Sequence, residues 1–412
     1  MKNKICRIHL PWKWIQFSMF GGGLDGSHDR LPVMLCTLCI VLFFNATDFT
    51  LSVFDQRAIP ISKIFSLTEC HAEDGTGNVS GTWKYYKSRF ISKDGRVIDV
   101  YQNNISHSEG QGYGLLLSLN YNDKKTFDLV LQWTQNNLMA RKDGLAAWSW
   151  GERHDGKWGI LDYNNATDGD ILIAWALLEG VKKWNNEVGL SDGRNIITAI
   201  KKYLVTDRQG RQVLLPAYYG FSGKNELKIN PAYFVFPAFR AFAKSPLKDI
   251  STPMGDVKFW QTLYMDSLEI VKKSCSTNLL LPPDWIFMDE NGNILSLSEH
   301  GKKSNFGFEA IRIPLYLAMA EEMEGLKLFS TYIKFLETQK YMPMVVDLFD
   351  EQISLHEASA GFHAVMAICA GVLGNAGLEA SLMKRADEKI RQEKDDYYSN
   401  TLYLLARTIK VK

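Results

Sequence analysis

Three acidic residues sit in surroundings that surface carboxylates seldom have. Glu109 lies in Ser106-His-Ser-Glu-Gly-Gln-Gly-Tyr-Gly114, among three glycines and directly before Leu115-Leu-Leu117. Asp168, followed by Asp170, closes Asn164-Asn-Ala-Thr-Asp-Gly-Asp170 and leads into Ile171-Leu-Ile-Ala-Trp-Ala-Leu-Leu178. Glu309 stands in Phe306-Gly-Phe-Glu-Ala-Ile-Arg312, ahead of Ile313-Pro-Leu-Tyr-Leu317. A carboxyl pressed against apolar and aromatic groups keeps its proton to higher pH, which is what a general acid requires. Carboxylates gathered at one place can divide the work of glycosidic hydrolysis. One protonates the leaving oxygen, and another activates water on the opposite face of the sugar.

Each of these stretches also has a plainer reading. Glu109 fits the first turn of a helix capped by a serine, its glycines leaving room for a backbone wall beside a ligand. Thr167 or Asp168 fits a helix cap. Glu309 and Arg312 are spaced to pair on one helix face, as an exposed ion pair does. Trp148-Ser-Trp150 and Trp158 are either stacking platforms for a flat ligand or a small satellite core. Tyr233, in Asn230-Pro-Ala-Tyr233 where Pro231 suits a first helical turn, is either a core residue or a rim hydroxyl.

The elements that must position these residues are helical. Amphipathic or apolar helical patterns recur at 81–92, 112–121, 124–139, 168–185, 193–204, 231–243, 256–273, 307–322, 325–339, 357–373, 376–391 and 396–409, with little strand signal. Breakers such as Asp94-Gly95, Asn122-Asp123, Pro282-Pro283 and Gly374-Asn-Ala-Gly377 separate them. Twelve helices fall into six hairpins, and six hairpins closed in a ring make an all-α (α/α)6 barrel. Helix and loop lengths vary too much for a solenoid of fixed period. The long non-helical stretches 140–166, 207–230, 281–306 and 340–356 exceed ordinary connections and are expected to build a functional rim.

Composition narrows the function. The 412 residues carry 47 Lys+Arg against 46 Asp+Glu, a net charge of +1, so no electrostatic footprint for nucleic acid appears. The 11 Trp, 17 Tyr and 22 Phe supply side chains that stack on sugar faces. No metal-ligand spacing and no phosphate-cradling loop occurs, so no metal and no cofactor is expected. Cys36-Thr-Leu-Cys39 lies inside an apolar run and is read as incidental; a Cys70–Cys275 or Cys275–Cys369 bridge stays open. Leu31 to Phe44 is almost wholly apolar behind Lys2, Lys4, Arg7, Lys13 and Arg30. That run is shorter than the roughly 20 residues a membrane span needs and suits an export signal or an uncleaved anchor. The expected organisation is a leader over 1–47, a linker over 48–78 and a catalytic domain over 79–412.

The sequence resembles the family-8 glycoside hydrolases, and within them the periplasmic endoglucanases that accompany bacterial cellulose synthase. The resemblance rests on Gly95-Arg-Val-Ile-Asp99, Ser108-Glu-Gly-Gln-Gly-Tyr-Gly114, Trp133-Thr-Gln-Asn-Asn137 and Ala147-Trp-Ser-Trp-Gly151, and continues with Ala166-Thr-Asp-Gly-Asp170, Asn230-Pro-Ala-Tyr233 and Glu309-Ala-Ile-Arg312, in family order. It implies an (α/α)6 barrel whose open cleft binds β-1,4-glucan and cleaves it with inversion. Glu109 then matches the general acid. Asp168 matches the signature aspartate, expected to orient and distort the sugar at the cleavage subsite. Trp148, Trp150, Tyr113, Tyr233 and Arg312 make up the expected substrate-binding set, with Tyr233 helping to place the water. Glu309 matches the general base, although cellulases of the family carry Asp there, and Asp168, or a rim-loop acid such as Asp284 or Glu299, is the alternative for the role. The implied setting is periplasmic or secreted, with glucan trimmed during cellulose synthesis and a cellulose synthase complex as partner. A chitosanase or xylanase, or a glucan-binding scaffold without turnover, are the alternatives. For chitosan the relevant loop acids are Asp155, Asp162, Asp284, Asp289 and Glu290.

Overall fold

In the computed structural model, residues 81–185, 188–244, 253–275, 277–295 and 304–410 are described. The leader, the linker, Cys6, Cys36, Cys39, Cys70 and Glu299 lie outside them. Twelve helices of eight residues or more occur among the described residues. They are α1 (Trp83–Phe90), α2 (Ser108–Asn120), α3 (Lys124–Asn137), α4 (Thr167–Trp184), α5 (Val188–Ala199), α6 (Phe236–Lys244), α7 (Pro253–Ser274), α8 (Arg312–Met319), α9 (Ser330–Thr338), α10 (Ala360–Val372), α11 (Ala376–Ile390) and α12 (Tyr397–Arg407). The even-numbered helices form the inner ring. Neighbours pack in sequence from α2 through α4, α6, α8 and α10 to α12, and α12 closes the ring on α2. The chain is an (α/α)6 barrel.

Burial separates the two rings as their sequences demand. Inner helix α4 is buried at every residue from Thr167 to Gly180, and α8 at every residue from Arg312 to Met319. Outer helix α11 buries only Leu382, Ala386 and Ile390, one stripe at i, i+4 and i+8. A helix apolar all round belongs inside, and one with a stripe belongs on the outer wall.

The glycines of the Glu109 stretch serve packing between helices rather than a wall for a ligand. A Cβ on Gly112 would stand 2.6 Å from the Cβ of Leu172 in α4, and one on Gly114 would meet Val97 at 2.7 Å. Gln111, in the same turn, accepts the Val97 amide at 2.6 Å and donates to Thr134 Oγ1 at 2.9 Å, which ties α2 to the preceding loop and to α3.

Among the described residues the loops hold ten short strands, which the sequence pattern does not foretell. β1 (Ser106–His107) pairs with β2 (Ser149–Glu152), and β2 with β3 (Trp158–Asp162). β4 (Val205–Arg208) and β5 (Arg211–Leu214) form a hairpin. β6 (Glu226–Ile229) pairs with β7 (Ile286–Asp289), which also pairs with β8 (Ile294–Leu295). β9 (Asn305–Phe306) pairs with β10 (Val346–Asp347). These ladders join loop to loop around the end of the barrel where the inner helices begin. Cys275 and Cys369 are free thiols.

Gly112→Ala is expected to destabilise the protein by about 1–3 kcal/mol, because the added methyl meets a side-chain root and not a movable tip. Chemical denaturation checks this; an unchanged midpoint would mean that α2 and α4 can separate freely.

Candidate active site

The inner helices bring Glu109, Asp168 and Arg312 to one rim because each stands in the first turn of its helix. The contact between α2 and α4 is made through Gly169, whose missing Cβ would lie 2.2 Å from Ser108 Oγ and 2.6 Å from the Glu109 amide. Glu109 and Asp168 are therefore neighbours by backbone geometry. Neither Thr167 nor Asp168 caps α4. The Thr167 hydroxyl donates to the Leu215 carbonyl at 2.7 Å, while Asp168 Oδ1 accepts the Gly169 amide at 2.8 Å and its other oxygen is left for the site.

Arg312 organises the centre. Its Nη1 donates to Glu109 Oε1 and, at 3.1 Å, to Asp168 Oδ2, while its Nη2 donates to Glu309 Oε2. The guanidinium side chain is only 3% exposed. Burial works against its charge, but the Glu109 and Glu309 carboxylates outweigh that and hold it protonated far above the ordinary range. The expected pairing of Glu309 with Arg312 is thus present, but as part of a buried three-carboxylate fork and not as a surface pair. Arg312 faces acids on both of its forks, so its part is to hold those acids and not to grip a sugar.

Glu309 lies in a turn just ahead of α8 rather than on the helix. Asp284 makes that turn: its Oδ1 accepts the amides of Gly307 (3.1 Å), Glu309 (3.1 Å) and Ala310 (2.8 Å). Burial pushes the Asp284 carboxyl up to about 7 against those bonds. Asn230 donates to Glu309 Oε2 at 3.0 Å from the far side. Asp168 is raised well above the carboxylate range, first by burial and next by the charge of Glu109.

The expected aromatic set divides. Tyr233, on a short 3-10 turn from Pro231 to Tyr233, lies under the Arg312 guanidinium at 5.6 Å. Burial, then the charges of Asp168 and Glu309, keeps its phenol protonated. Trp148 is half-buried beside the acid: its carbonyl accepts the Ser108 amide at 3.0 Å, and its indole N–H donates to Asp162 at 2.9 Å. Trp150 instead packs edge-on against Trp133 at 5.1 Å and tilted on Trp158 at 5.3 Å, with Arg96 over its ring. The register shift between Ser149 and Trp150 separates it from Trp148. Tyr113 has no exposed surface, and its hydroxyl pairs with that of Tyr316 at 2.7 Å. It supports the floor under Arg312 and has no face for a sugar.

Sequence reasoning passed over Asn230, Asp284 as an anchor, and His107. Asn before Pro is a cap signal, and Asn230 does cap its turn by accepting the Ala232 amide. The contact of its amide nitrogen with Glu309 spans 79 positions and leaves no local trace.

A buried cation thus gathers three carboxylates at the mouth of an all-helical ring, an arrangement compatible with a glycosidase. The model of the Glycosyl hydrolases family 8 matches residues 59–412, and the chain belongs to that family. An endoglucanase of Cellulomonas uda is 37% identical over 244 residues, 59% of this chain, so that the chain spans 64% of that enzyme. A probable endoglucanase of Novacetimonas hansenii is 30% identical over 84% of this chain and 94% of its own. The crystal structure of the endoglucanase Cel10 from Klebsiella pneumoniae superposes with a TM-score of 0.66 at 32% identity, covering 79% of this chain and 97% of that one.

Removing the shared cation tests the centre. Arg312→Met is expected to lose about 3–5 kcal/mol of stability at pH 7, where the ionised carboxylates of the cluster are left without their counter-charge. Their mutual repulsion fades as they take up protons, so the deficit should shrink as pH falls. Urea denaturation at pH 7 and pH 4.5 reads both; a deficit that does not change with pH would contradict the electrostatic account.

Proposed function

We propose that the protein is an endo-acting β-1,4-glucan hydrolase that inverts the anomeric centre, with Glu109 as general acid, Glu309 as general base and Asp168 orienting the sugar at the cleavage subsite. The observation that carries the proposal is the attachment of all three acids to one guanidinium. The roles follow from access. The side chains of Glu109 and Glu309 are 20% and 23% exposed and can meet a substrate and a water, whereas that of Asp168 is 2% exposed. An enclosed carboxyl that favours its proton is a poor nucleophile and a good fixed partner for a sugar hydroxyl. The endoglucanases of Cellulomonas, Novacetimonas and Klebsiella support the substrate class.

Both side-chain bonds of Glu309 among the described residues fall on Oε2, from Arg312 and Asn230, which leaves Oε1 for a water. In the proposed step Glu109 gives its proton to the glycosidic oxygen as that bond breaks. Water attacks the anomeric carbon from the other face and loses its proton to Glu309. The protonated phenol of Tyr233 can donate a hydrogen bond to that water, and Trp148 offers a ring beside the acid. Asp284 spends one oxygen on three amides, so its part is to hold the turn that carries Glu309.

The same proposal takes the protein as exported, periplasmic or secreted, and as trimming glucan in association with a cellulose synthase complex. Export is supported by the basic stretch followed by the apolar run Leu31–Phe44, and the trimming role by the resemblance to endoglucanases that accompany cellulose synthase.

The decisive experiment follows the anomer released from a cello-oligosaccharide by NMR, with carboxymethylcellulose, xylan and chitosan compared as polymers. Inversion predicts that the α-anomer appears first. Glu109→Gln and Glu309→Gln should each lower kcat by about 100-fold or more, while Asp284→Asn should stay within about tenfold of the parent. A Glu309→Gln enzyme that still turns over, beside an Asp284→Asn enzyme that does not, would move the base to Asp284. Glucan left uncut while xylan or chitosan is cleaved would overturn the substrate.

A further inference from the structure

Glu109 has a second neighbour for which the proposed chemistry has no use. His107 ends β1 and caps α2 with its ring: the Gly110 amide donates to Nδ1 at 3.0 Å. A ring nitrogen that accepts a hydrogen bond carries no proton, so the neutral ring keeps its proton on Nε2, which faces Asp99 Oδ2 at 3.7 Å. The same Nδ1 lies 3.9 Å from Glu109 Oε2, the carboxylate oxygen that Arg312 does not hold.

The groups that face this imidazole are mostly acids. Asp99 comes from the segment between α1 and β1, Glu109 from α2 and Asp168 from α4. From α12, Tyr397 meets the ring edge-on at 5.8 Å. The cation Arg312, from α8, is linked to the ring through Glu109. Burial resists a charge on His107, but the carboxylates of Asp99, 3.7 Å from Nε2, and Glu109 outweigh it and raise its pKa above the ordinary imidazole value.

Protonation at Nδ1 would remove the acceptor for the Gly110 amide and create a donor close to Glu109 Oε2. The imidazolium then favours the ionised form of Glu109, which cannot protonate a leaving group. One proton can therefore sit on either partner, and only on Glu109 is it useful. We propose that His107 is a positioning residue that competes with Glu109 for the catalytic proton: neutral, it caps α2 and leaves Glu109 free to carry the proton, and charged, it keeps Glu109 ionised. The proposal rests on Glu109 being the general acid. In each turnover the proton leaves Glu109 for the glycosidic oxygen, whose bond to carbon breaks, and solvent supplies the next proton to the pair.

The test is the pH profile of kcat/KM on a soluble cello-oligosaccharide for the full-length enzyme and His107→Asn. Asparagine also caps helices but does not ionise. The alkaline limb should move to higher pH in the variant. The variant should exceed the parent by about fivefold or more on that limb, as expected for an imidazolium about 4 Å from a carboxylate even in a water-like dielectric. The two should converge at the most alkaline pH, where the parent ring is neutral. A cap without this competition predicts activity scaled by one constant factor at every pH, and that result would overturn the proposal. Should His107→Asn fail to fold, ring NMR of histidine-labelled parent and Glu109→Gln decides. The His107 titration should fall to lower pH once the Glu109 charge is gone, and an unmoved titration would overturn the proposal. A Glu109→Gln enzyme with parental turnover would instead remove the acid assignment itself. An inactive Glu109→Gln beside superimposable profiles would remove only the role of His107.

Discussion

One guanidinium faces three carboxylates in a place water hardly reaches, and the rest of the site follows from that imbalance. A buried cation with a single partner would already be near neutrality; with three, the centre must keep protons or repel itself apart. The proton is retained most readily where burial is deepest, on Asp168, whose carboxyl is raised by burial and by the charge of Glu109. The side chains of the two less buried acids, Glu109 and Glu309, stay open to the cleft. A difference of role among chemically similar groups thus arises from depth, without any difference in residue type between Glu109 and Glu309.

The scaffold's task is to hold that depth. Gly169 lets the first turns of α2 and α4 touch, and a side chain there would drive Asp168 away from Glu109. Arg312 arrives from α8, across the ring, and the buried hydroxyls of Tyr113 on α2 and Tyr316 on α8 tie those two helices together at 2.7 Å. The rim loops are bound to one another as well as to the barrel. Asn164 donates to the Tyr219 carbonyl at 3.0 Å, and Asn165 bridges Asp170 and the Tyr218 amide, at 2.8 and 2.7 Å. The wall beside Trp148 is therefore fixed by the same segment that begins α4. The packed ring of helices gives a rigid base, and the long loops use it to fix position.

How much of this was legible in the amino-acid order depends on whether the cue is local. Helices α4 and α10 are long apolar runs, and their burial could be read directly from composition. α2 begins at Ser108, ahead of the expected 112–121, because a histidine ring supplies the cap and breaks the usual Ser, Thr, Asp and Asn signal. The pattern 307–322 reads as one helix, yet only Arg312–Met319 is helical before the chain turns. Asp284 holds residues 307–310 as a turn from more than twenty positions away. Strands of two to five residues are too short for an alternating pattern to register, so the rim loops read as irregular. Trp148 and Trp150 share a motif and a parity, but a bulge between them sends them to different neighbours. The three acids were found because each opens an apolar helical stretch. Their common partner was found for only one of the three, since its links to Glu109 and Asp168 span 203 and 144 positions.

The extra methylene of Glu309 can be understood from its anchors. A longer side chain has one more torsion to fix, and an unfixed base would place its water poorly. Here the backbone is held by Asp284 through the Glu309 amide, and the carboxylate is held at Oε2 by Arg312 and Asn230. Two bonds on Oε2 hold the carboxylate while the Asp284 bond holds the backbone that carries it, so the side chain is restrained at both ends. The same ties draw Oε2 toward Arg312 and away from the water. Oε1 is therefore the oxygen whose charge is least shared with the guanidinium. Asn230 and Asp284 together set the position of the Glu309 carboxylate and backbone, and the three residues are best regarded as one unit.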